Sequence, residues 1–271
     1  MPQPLPRLIG LPYDASSSYL RGPAEAPPII RSALHAPAWN TWTEQLRDLA
    51  GPDGLSDAGD LSLPPTADAV GQIEAGIAAV LAGGWRPLAL GGDHSVTYPV
   101  LRAVSRAHGS LTVLHIDAHP DLYVEFDGDR LSHACPFARI MEEGLARRLV
   151  QVGIRTMNGH QRSQADRFGV EVMDMAAWLG GARPSVSGAV YVSIDLDGLD
   201  PAFAPGVSHR EPGGLSVRDV LALVQGVNGD VVGADVVEYN PRQDIAGVTA
   251  IVAAKIVKEV AGRMMAGAVT R

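Results

Sequence analysis

The chain has 271 residues, of which 46% are hydrophobic and 19% charged, a balance that excludes a disordered, collagenous or coiled-coil protein. Its 22 Lys and Arg residues against 30 Asp and Glu residues give a formal net charge of −8. That sign is wrong for a protein that neutralises phosphate backbones, so no nucleic-acid partner is expected. The single cysteine, Cys135, allows neither an internal disulfide nor a cysteine-based zinc site. Together with the lack of an apolar leader or a membrane-length apolar run, it predicts a cytoplasmic protein with no membrane partner.

Short β-branched runs alternate with helix-patterned segments along the chain, which predicts an α/β fold. Several runs are apolar at consecutive positions, as in strands with helices on both faces, so the sheet should be mainly parallel. In chain order, the predicted strands are residues 8–11, 87–90, 111–116, 149–154, 190–193 and 231–237.

Three helices are predicted, two between these strands and one after the last of them. Apolar residues recur at helical spacing over residues 70–81, with Thr66 as the expected N-cap and Gly83 as the end. Ser216 and Asp219 resemble a capping box that opens a second helix. A third, amphipathic helix is predicted near the carboxyl terminus, at residues 251–264.

The stretch at residues 51–65 is rich in Gly, Pro and Asp and is typical of a linker. It lies too near the amino terminus to separate two viable domains. Residues 1–271 are therefore predicted to form a single domain, a three-layer αβα arrangement with a mainly parallel sheet.

Acidic residues and histidines are concentrated where three predicted strands end. The three clusters contain Asp93 and His94; Asp117, His119 and Asp121; and Asp195 and Asp197. Because the carboxyl ends of parallel strands meet at one edge of a sheet, where ligands bind, these clusters are expected to converge. Residues two apart in extended backbone point the same way, so the alternating acids and imidazoles can face one site.

The converging carboxylates need a positive charge among them, since like charges a few ångströms apart resist ionisation together. The three clusters contain no Lys or Arg, so divalent metal is the expected source of that charge. The four Asp of the second and third clusters and the two His, without a thiolate, suit Mn²⁺ better than structural Zn²⁺, and two ions fit better than one. A single Asp-x-His is more often a cap or a surface pair, so the prediction depends on the combination of clusters.

These clusters resemble the signature motifs of the ureohydrolases, the arginase and agmatinase family. The matching runs are Gly-Gly-Asp-His-Ser at residues 91–95, Asp-Ala-His-Pro-Asp at 117–121 and Ser-Ile-Asp-Leu-Asp-Gly-Leu-Asp-Pro at 193–201. Within the family the chain most resembles plant-type arginases and their bacterial relatives, because residues 206–209 differ from the Gly-Thr-Gly-Thr of agmatinases. The resemblance implies an arginase-like fold and a homo-oligomer, a trimer or a hexamer.

The resemblance also implies a site with two Mn²⁺ ions. His94, Asp117, Asp121 and Asp195 would bind one ion, and His119, Asp117, Asp195 and Asp197 the other. Glu238, after the apolar run at 231–237, would anchor a small cationic guanidino substrate, and His133 would relay a proton to the departing amine. A metal-bridging hydroxide would attack the guanidinium carbon and release urea, converting L-arginine to L-ornithine.

The metal site alone does not separate L-arginine from agmatine, formiminoglutamate or another guanidino acid, because the differences lie at the far end of the substrate. Residues 123–130 and 155–161 are the expected rim, with Arg130, Arg155 and Asn158 available to meet a carboxylate. A two-metal phosphoesterase is disfavoured because the clusters offer no cation for phosphate. A metal-dependent binding protein without turnover is the remaining alternative.

Several other polar residues have structural interpretations. His115 lies inside an apolar strand and is expected to be a hydrogen-bonded core residue. Asp93 and Asp200 are expected to orient neighbours or cap turns, and Cys135 to be a small buried side chain. His209 fits the site and the surface equally well.

Overall fold

The computed structural model describes residues 4–267, in which eight strands form one fully parallel sheet. The spatial order of the strands is β2-β1-β3-β8-β7-β4-β5-β6. The strands are β1 (Pro6–Gly10), β2 (Ser56–Asp60), β3 (Arg86–Leu90), β4 (Leu111–Ile116), β5 (Ala146–Ile154), β6 (Glu171–Asp174), β7 (Ala189–Asp195) and β8 (Asp230–Val237).

Helices cover both faces of the sheet. They are α1 (Ala26–Leu34), α2 (Ala69–Ala82), α3 (Thr97–His108), α4 (Pro136–Glu142), α5 (Gly159–Phe168), α6 (Met175–Leu179), α7 (Val217–Gln225) and α8 (Val248–Met265). One face packs against α1, α6, α7 and α8, and the other against α2, α3, α4 and α5. The prediction of an α/β fold with a mainly parallel sheet is therefore confirmed. Among residues 4–267, none of the helices has the length and hydropathy of a membrane span.

A hydrophobic core lies on each face of the sheet, and consecutive residues of the central strands pack alternately into one core and the other. Leu88 and Leu90 belong to one core and Ala89 to the other; Val113 and Leu114 divide in the same way. All five are fully buried. Burial on both faces explains the consecutive apolar runs, and each large side chain removed from water contributes about 1.5–3 kcal/mol.

The capping box that was predicted for α7 is present. The backbone N–H of Asp219 donates to the Ser216 hydroxyl at 3.1 Å, and the backbone N–H of Ser216 donates to the Asp219 carboxylate at 2.9 Å. The predicted end of α2 is also confirmed, with Gly83 as its C-cap, but Thr66 is not its N-cap. The helix begins at Ala69 after Asp68, and Thr66 instead donates its hydroxyl to the Asp68 carboxylate.

Two strands were missed because they lie at the edges of the sheet. β2 falls within the stretch predicted as a linker, and β6 has only four residues. None of their residues is buried, so neither strand carries a buried apolar run, and pairing with β1 or β5 determines their conformation. Charged side chains on such edges also discourage pairing with other chains.

Candidate functional site

The site lies at the carboxyl ends of four adjacent strands, β3, β8, β7 and β4. His94 begins the turn after β3, Glu238 follows β8 directly, Asp117 follows β4, and Asp195 ends β7 with Asp197 in the next turn. All five side chains are buried. The fold thus brings the three sequence clusters together, as predicted from their positions at strand ends.

The imidazole of His94 faces three carboxylates. Its Nδ1 lies 3.2 Å from Asp117 Oδ2, 3.1 Å from Asp121 Oδ2 and 3.1 Å from Asp195 Oδ2. None of these contacts has hydrogen-bond geometry, so this buried nitrogen has no partner within the described chain. A positively charged species is required where a ring nitrogen and three carboxylate oxygens converge.

Behind His94, a buried network fixes which ring nitrogen is free. The single hydroxyl proton of Ser193 goes to Asp235 Oδ1 at 2.7 Å, so Ser193 Oγ accepts from Nε2–H of His94 at 3.0 Å. Asp235 also accepts the hydroxyls of Tyr191 and Thr97, at 2.7 and 2.8 Å. With Nε2 protonated, Nδ1 of a neutral His94 presents its lone pair to the cluster, as a metal ligand would.

A second imidazole stands on the other side of Asp117. His119 Nδ1 lies 3.0 Å from Asp197 Oδ2 and 3.4 Å from Asp117 Oδ1. The two oxygens of Asp117 therefore face different histidines, Oδ2 towards His94 and Oδ1 towards His119. This carboxylate connects two neighbouring sets of possible ligands.

The charges of the cluster are not balanced by its own residues. Burial, together with the negative charges of Asp197 and Asp117, raises the pKa of Asp195 well above its usual range. Burial and the charge of Asp117 likewise raise the pKa of Asp197 to about 7, although His119 opposes the shift. Burial disfavours a charged His94, but the three carboxylates outweigh it and raise its pKa well above normal. The donor set thus fits hard divalent cations, which neutralise several carboxylates at once.

His115 supports the cluster and is not free to join it. Gln151 Nε2 donates to His115 Nδ1 at 3.0 Å, which leaves Nε2–H to donate to Asp117 Oδ2 at 2.7 Å. The ring stacks on Phe137 with centroids 3.9 Å apart. As predicted, His115 is a hydrogen-bonded core residue, and it orients the carboxylate that both sets share.

Glu238 presents one carboxylate oxygen without a partner. Its Oε1 accepts the backbone N–H of His94 at 2.9 Å and lies 2.8 Å from Nδ1 of His133, whereas its Oε2 is buried and unpaired among the described residues. Although burial opposes it, the contact with Glu238 raises the pKa of His133 to about 9. The backbone at Glu238 and at Asp121 is left-handed, with φ of 62° and 50°, which is strained for residues other than glycine.

A cavity of about 410 Å³ opens above the cluster. Its lining includes all of the predicted ligand residues except the two most deeply buried, His94 and Asp117, and both predicted catalytic residues, His133 and Glu238. Its outer wall is formed by Tyr123, Phe126, Met157 and Asn158, and the Asn158 amide donates to the Tyr123 hydroxyl at 2.7 Å.

Two arginines that were predicted to meet a substrate carboxylate lie elsewhere. Arg130 pairs with Glu142 at 3.0 Å on the surface. Arg155 donates to backbone carbonyls, at 2.6 Å to both Asp197 and Glu211. Neither lines the cavity, so that prediction is wrong for both. The guanidinium of Arg155 instead ties the turn that carries Asp197 to the rim.

Two further cavity residues extend the sequence analysis. His209 lines the cavity, with its ring centroid 5.2 Å from that of His133 and 5.9 Å from that of His119. Ser18 was missed; its hydroxyl lies 2.8 Å from Nε2 of His133. The available signal was its position after the predicted first strand, which ends at the same sheet edge.

The remaining polar residues have the predicted structural roles. Asp93 caps the turn that begins at His94 and accepts the backbone N–H of Ser95 at 3.1 Å. Asp200 accepts the backbone N–H of Gly213 at 2.6 Å. Cys135 is buried, and burial raises the pKa of its thiol to about 12, so it is not a nucleophile at neutral pH.

Comparison with known proteins gives a consistent set of relatives. The model of the arginase family matches residues 6–262. Arginase 1, mitochondrial, from Arabidopsis thaliana is 48% identical over 275 residues, which cover 95% of this chain and 80% of that protein. Arginase 2, chloroplastic/mitochondrial, from the same plant is 48% identical over 276 residues with the same coverage. The solved structure of arginase from Medicago truncatula superposes with a TM-score of 0.92 at 45% identity, covering 96% of this chain and 87% of that one.

The names of these relatives contradict the prediction of a cytoplasmic location, which is therefore wrong. The plant proteins are named as mitochondrial or chloroplastic. The inference failed because one free cysteine shows only that disulfides are not needed, and this holds in any compartment where thiols stay reduced.

Proposed function

The chain belongs to the arginase family, and on this basis we propose that it hydrolyses L-arginine to L-ornithine and urea. It is a ureohydrolase, an enzyme that acts on guanidino compounds. The observation that carries the proposal is one cavity lined both by four residues of the carboxylate–imidazole cluster and by Glu238, whose Oε2 has no partner among the described residues. The first suits metal ions and the second suits a planar cation.

In this proposal the cluster holds two Mn²⁺ ions. His94, Asp117, Asp121 and Asp195 would hold one, and His119, Asp117, Asp195 and Asp197 the other. The contacts of Nδ1 in both histidines and the orientation of Asp117 support this division. That Asp195 binds both ions stays a prediction, because its Oδ1 is already engaged in accepting the backbone N–H of Asp197. Such ions lower the pKa of water towards about 7, so that hydroxide is available at neutral pH.

Glu238 would anchor the guanidinium group. Although burial opposes ionisation, the contact with His133 lowers the pKa of Glu238, so its carboxylate is charged at neutral pH. Its free oxygen can accept N–H groups of the substrate in a charge-assisted hydrogen bond. Fixing that planar group near the cluster would orient the carbon that is attacked.

His133 would supply the proton that the departing amine requires. With a pKa of about 9, it carries a proton at neutral pH. Glu238 holds its Nδ1, the Ser18 hydroxyl contacts its Nε2, and both Ser18 and His133 line the cavity. The side chain is thus poised as a general acid beside the anchoring carboxylate.

The substrate panel tests this assignment. We expect the manganese-loaded protein to release urea from L-arginine with a higher kcat/KM than from agmatine or 4-guanidinobutyrate, and to be inactive on formiminoglutamate and on p-nitrophenyl phosphate. A preference for agmatine would make it an agmatinase, and phosphate release without urea release would refute a ureohydrolase.

A matched pair of variants tests the anchor. Glu238→Gln keeps the shape of the side chain but loses its charge, so kcat/KM for L-arginine should fall by roughly 10²–10³-fold. Bound manganese, measured by atomic absorption, should stay unchanged. Glu125→Gln, at an exposed acid of the predicted rim that does not line the cavity, should keep full activity. Equal effects of the two changes would contradict the role of Glu238.

We also propose a single domain that assembles into a homo-oligomer, a trimer or a hexamer. The single sheet supports one domain. The start of α8 supports assembly, since Ile245, Val248 and Ile251 are exposed by 63%, 41% and 45%. Light scattering after gel filtration measures the state, and a monomer would refute it.

A further inference from the structure

A second cavity, of about 190 Å³, shares no lining residue with the active-site cavity. It lies beside the β1–β2 edge of the sheet. Leu8 of β1, Ser56 of β2, Leu34 of α1 and Lys258 of α8 line it, and Leu49 and Leu55 from the connecting loop complete its apolar part. Nothing in the proposed reaction uses these residues.

The loop over this cavity is long but held in place. Residues 35–55 connect α1 to β2 without a helix or a strand of their own. The backbone N–H of Glu44 donates to Glu259 at 3.0 Å, and Glu44 pairs with Arg218 at 2.7 Å. Long ordered connections of this kind are uncommon in compact domains and usually serve binding or catalysis.

Lys258 brings an unneutralised positive charge to the cavity. It is only 6% exposed, and no carboxylate of residues 4–267 forms an ion pair with it. Its Nζ donates to Asn40, at 2.8 Å to the carbonyl and 3.2 Å to the side-chain oxygen, and lies 5.6 Å from the Trp39 ring. These contacts use two of its three N–H groups. Lys255, one turn earlier, is in contrast paired with Glu44 and Glu259.

Among the other polar residues of the lining, which include His35, Thr41, Ser56 and Asp57, Ser56 offers a further donor to an anion. The Ser56 hydroxyl is buried and has no hydrogen-bond partner within the described residues. Asp57, which also lines the cavity, pairs with Arg31 at 2.7 and 3.1 Å; Arg31 contacts Asp60 as well, and the side chain of Asp57 is 36% exposed, so solvent screens the charge that remains. One free cation and one free hydroxyl therefore remain beside a floor of leucines. A buried charge of this kind is costly unless a partner of opposite sign reaches it.

We propose that this cavity binds a short-chain aliphatic monocarboxylate. The carboxylate would accept the third N–H of Lys258 and the Ser56 hydroxyl, and the alkyl chain would pack on the leucines. An alkylammonium ion of the same length would be repelled by Lys258. The site is independent of the proposed arginine hydrolysis.

The test uses the manganese-loaded full chain and sodium pentanoate, with pentylamine as the matched cation. Isothermal titration and the shift in melting temperature should both detect saturable binding of pentanoate and none of pentylamine. Lys258→Met should weaken pentanoate binding by at least about tenfold, the loss of one charge-assisted contact. Ser56→Ala should weaken it less. Arg162→Met, at an exposed position of α5 that lines neither cavity, should leave it unchanged.

Two further results separate the outcomes. Glu238→Gln should bind pentanoate like the unchanged protein, and a loss there would place the ligand in the active-site cavity instead. If Lys258→Met does not fold, Leu55→Trp, which fills the cavity from the loop, should abolish binding. No saturable binding of pentanoate, or equal binding by the Lys258→Met protein, would overturn the proposal.

Discussion

The side of the sheet where the strands begin, here called the amino edge, and the side where they end, the carboxyl edge, bury charge in opposite ways. At the amino edge, Arg86 of β3 forms a double ion pair with Asp230 of β8, at 2.7 and 2.8 Å, and also donates to two backbone carbonyls. Arg263 of α8 donates to three backbone carbonyls nearby. At the carboxyl edge, several acids of the same sign converge, and His94 Nδ1 and Glu238 Oε2 have no partner among the described residues.

This difference separates charge that holds the fold from charge that awaits a ligand. At the amino edge a carboxylate or a carbonyl accepts from both terminal nitrogens of Arg86 and from all three nitrogens of Arg263, so removing one partner damages the protein itself. At the carboxyl edge the protein does not balance its own charge, so removing an acid should damage binding more than folding. Four changes put this contrast to the test.

The largest effect is expected for Asp195→Asn. Asparagine imitates the protonated acid, which burial already favours, so the metal-free protein should melt at the same temperature or higher. Urea release should fall roughly 10³-fold, because metal stabilisation is worth several kcal/mol. Calorimetry of the metal-free protein and a manganese-dependent assay measure the two effects. A large loss of stability without loss of bound manganese would contradict the claim that the acids of the carboxyl edge serve binding more than folding.

Arg86→Met should show the reverse behaviour. It leaves the half-buried Asp230 without its partner and removes the donor from two buried backbone carbonyls, so the free energy of unfolding should fall by about 3 kcal/mol. The kcat of the folded, manganese-loaded enzyme should stay within about twofold, since Arg86 touches nothing in the site. Arg148→Met is the control, because its pair with Glu171 is exposed and should be worth less than about 1 kcal/mol.

Arg155→Lys should give a smaller effect that is confined to the site. A lysine cannot reproduce the planar fork that holds the carbonyls of Asp197 and Glu211, so manganese affinity should fall by about 10–100-fold. Titration of the metal-free protein with manganese measures this. The exposed Arg162 of α5, changed to lysine, should have no effect. Unchanged manganese affinity in Arg155→Lys would show that the clamp does not position the ligands.

The smallest effect concerns pH. The pKa of His133 is raised from 6.5 to about 9, so its pairing with Glu238 contributes stability that is full below pH 6.5 and is lost as pH rises through 9. Glu238→Gln removes that pairing. The stability difference between the unchanged metal-free protein and this variant should therefore shrink between pH 6.5 and pH 9.5. Urea denaturation at several pH values measures it, and a constant difference would contradict the coupling.

Sequence reasoning succeeded where chain position determines contact. The residues after β3, β4, β7 and β8 had to meet, because parallel strands end at one edge. It did not predict α1, α3 and α4, which each carry prolines in the first turn, where the missing N–H is harmless. It also failed for the direction of loop side chains. Only tertiary contacts turn Arg155 inwards and leave Asn158 at the cavity.

The left-handed backbone at Asp121 and Glu238 lowers the stability of the fold at two residues that the proposed function requires. Each costs roughly 1–3 kcal/mol, which glycine at the same position would not incur. A library selected only for resistance to heat above pH 9, where the pairing of Glu238 with His133 no longer contributes, should therefore lose these two acids early. The most durable version of this fold would be a catalytically silent one.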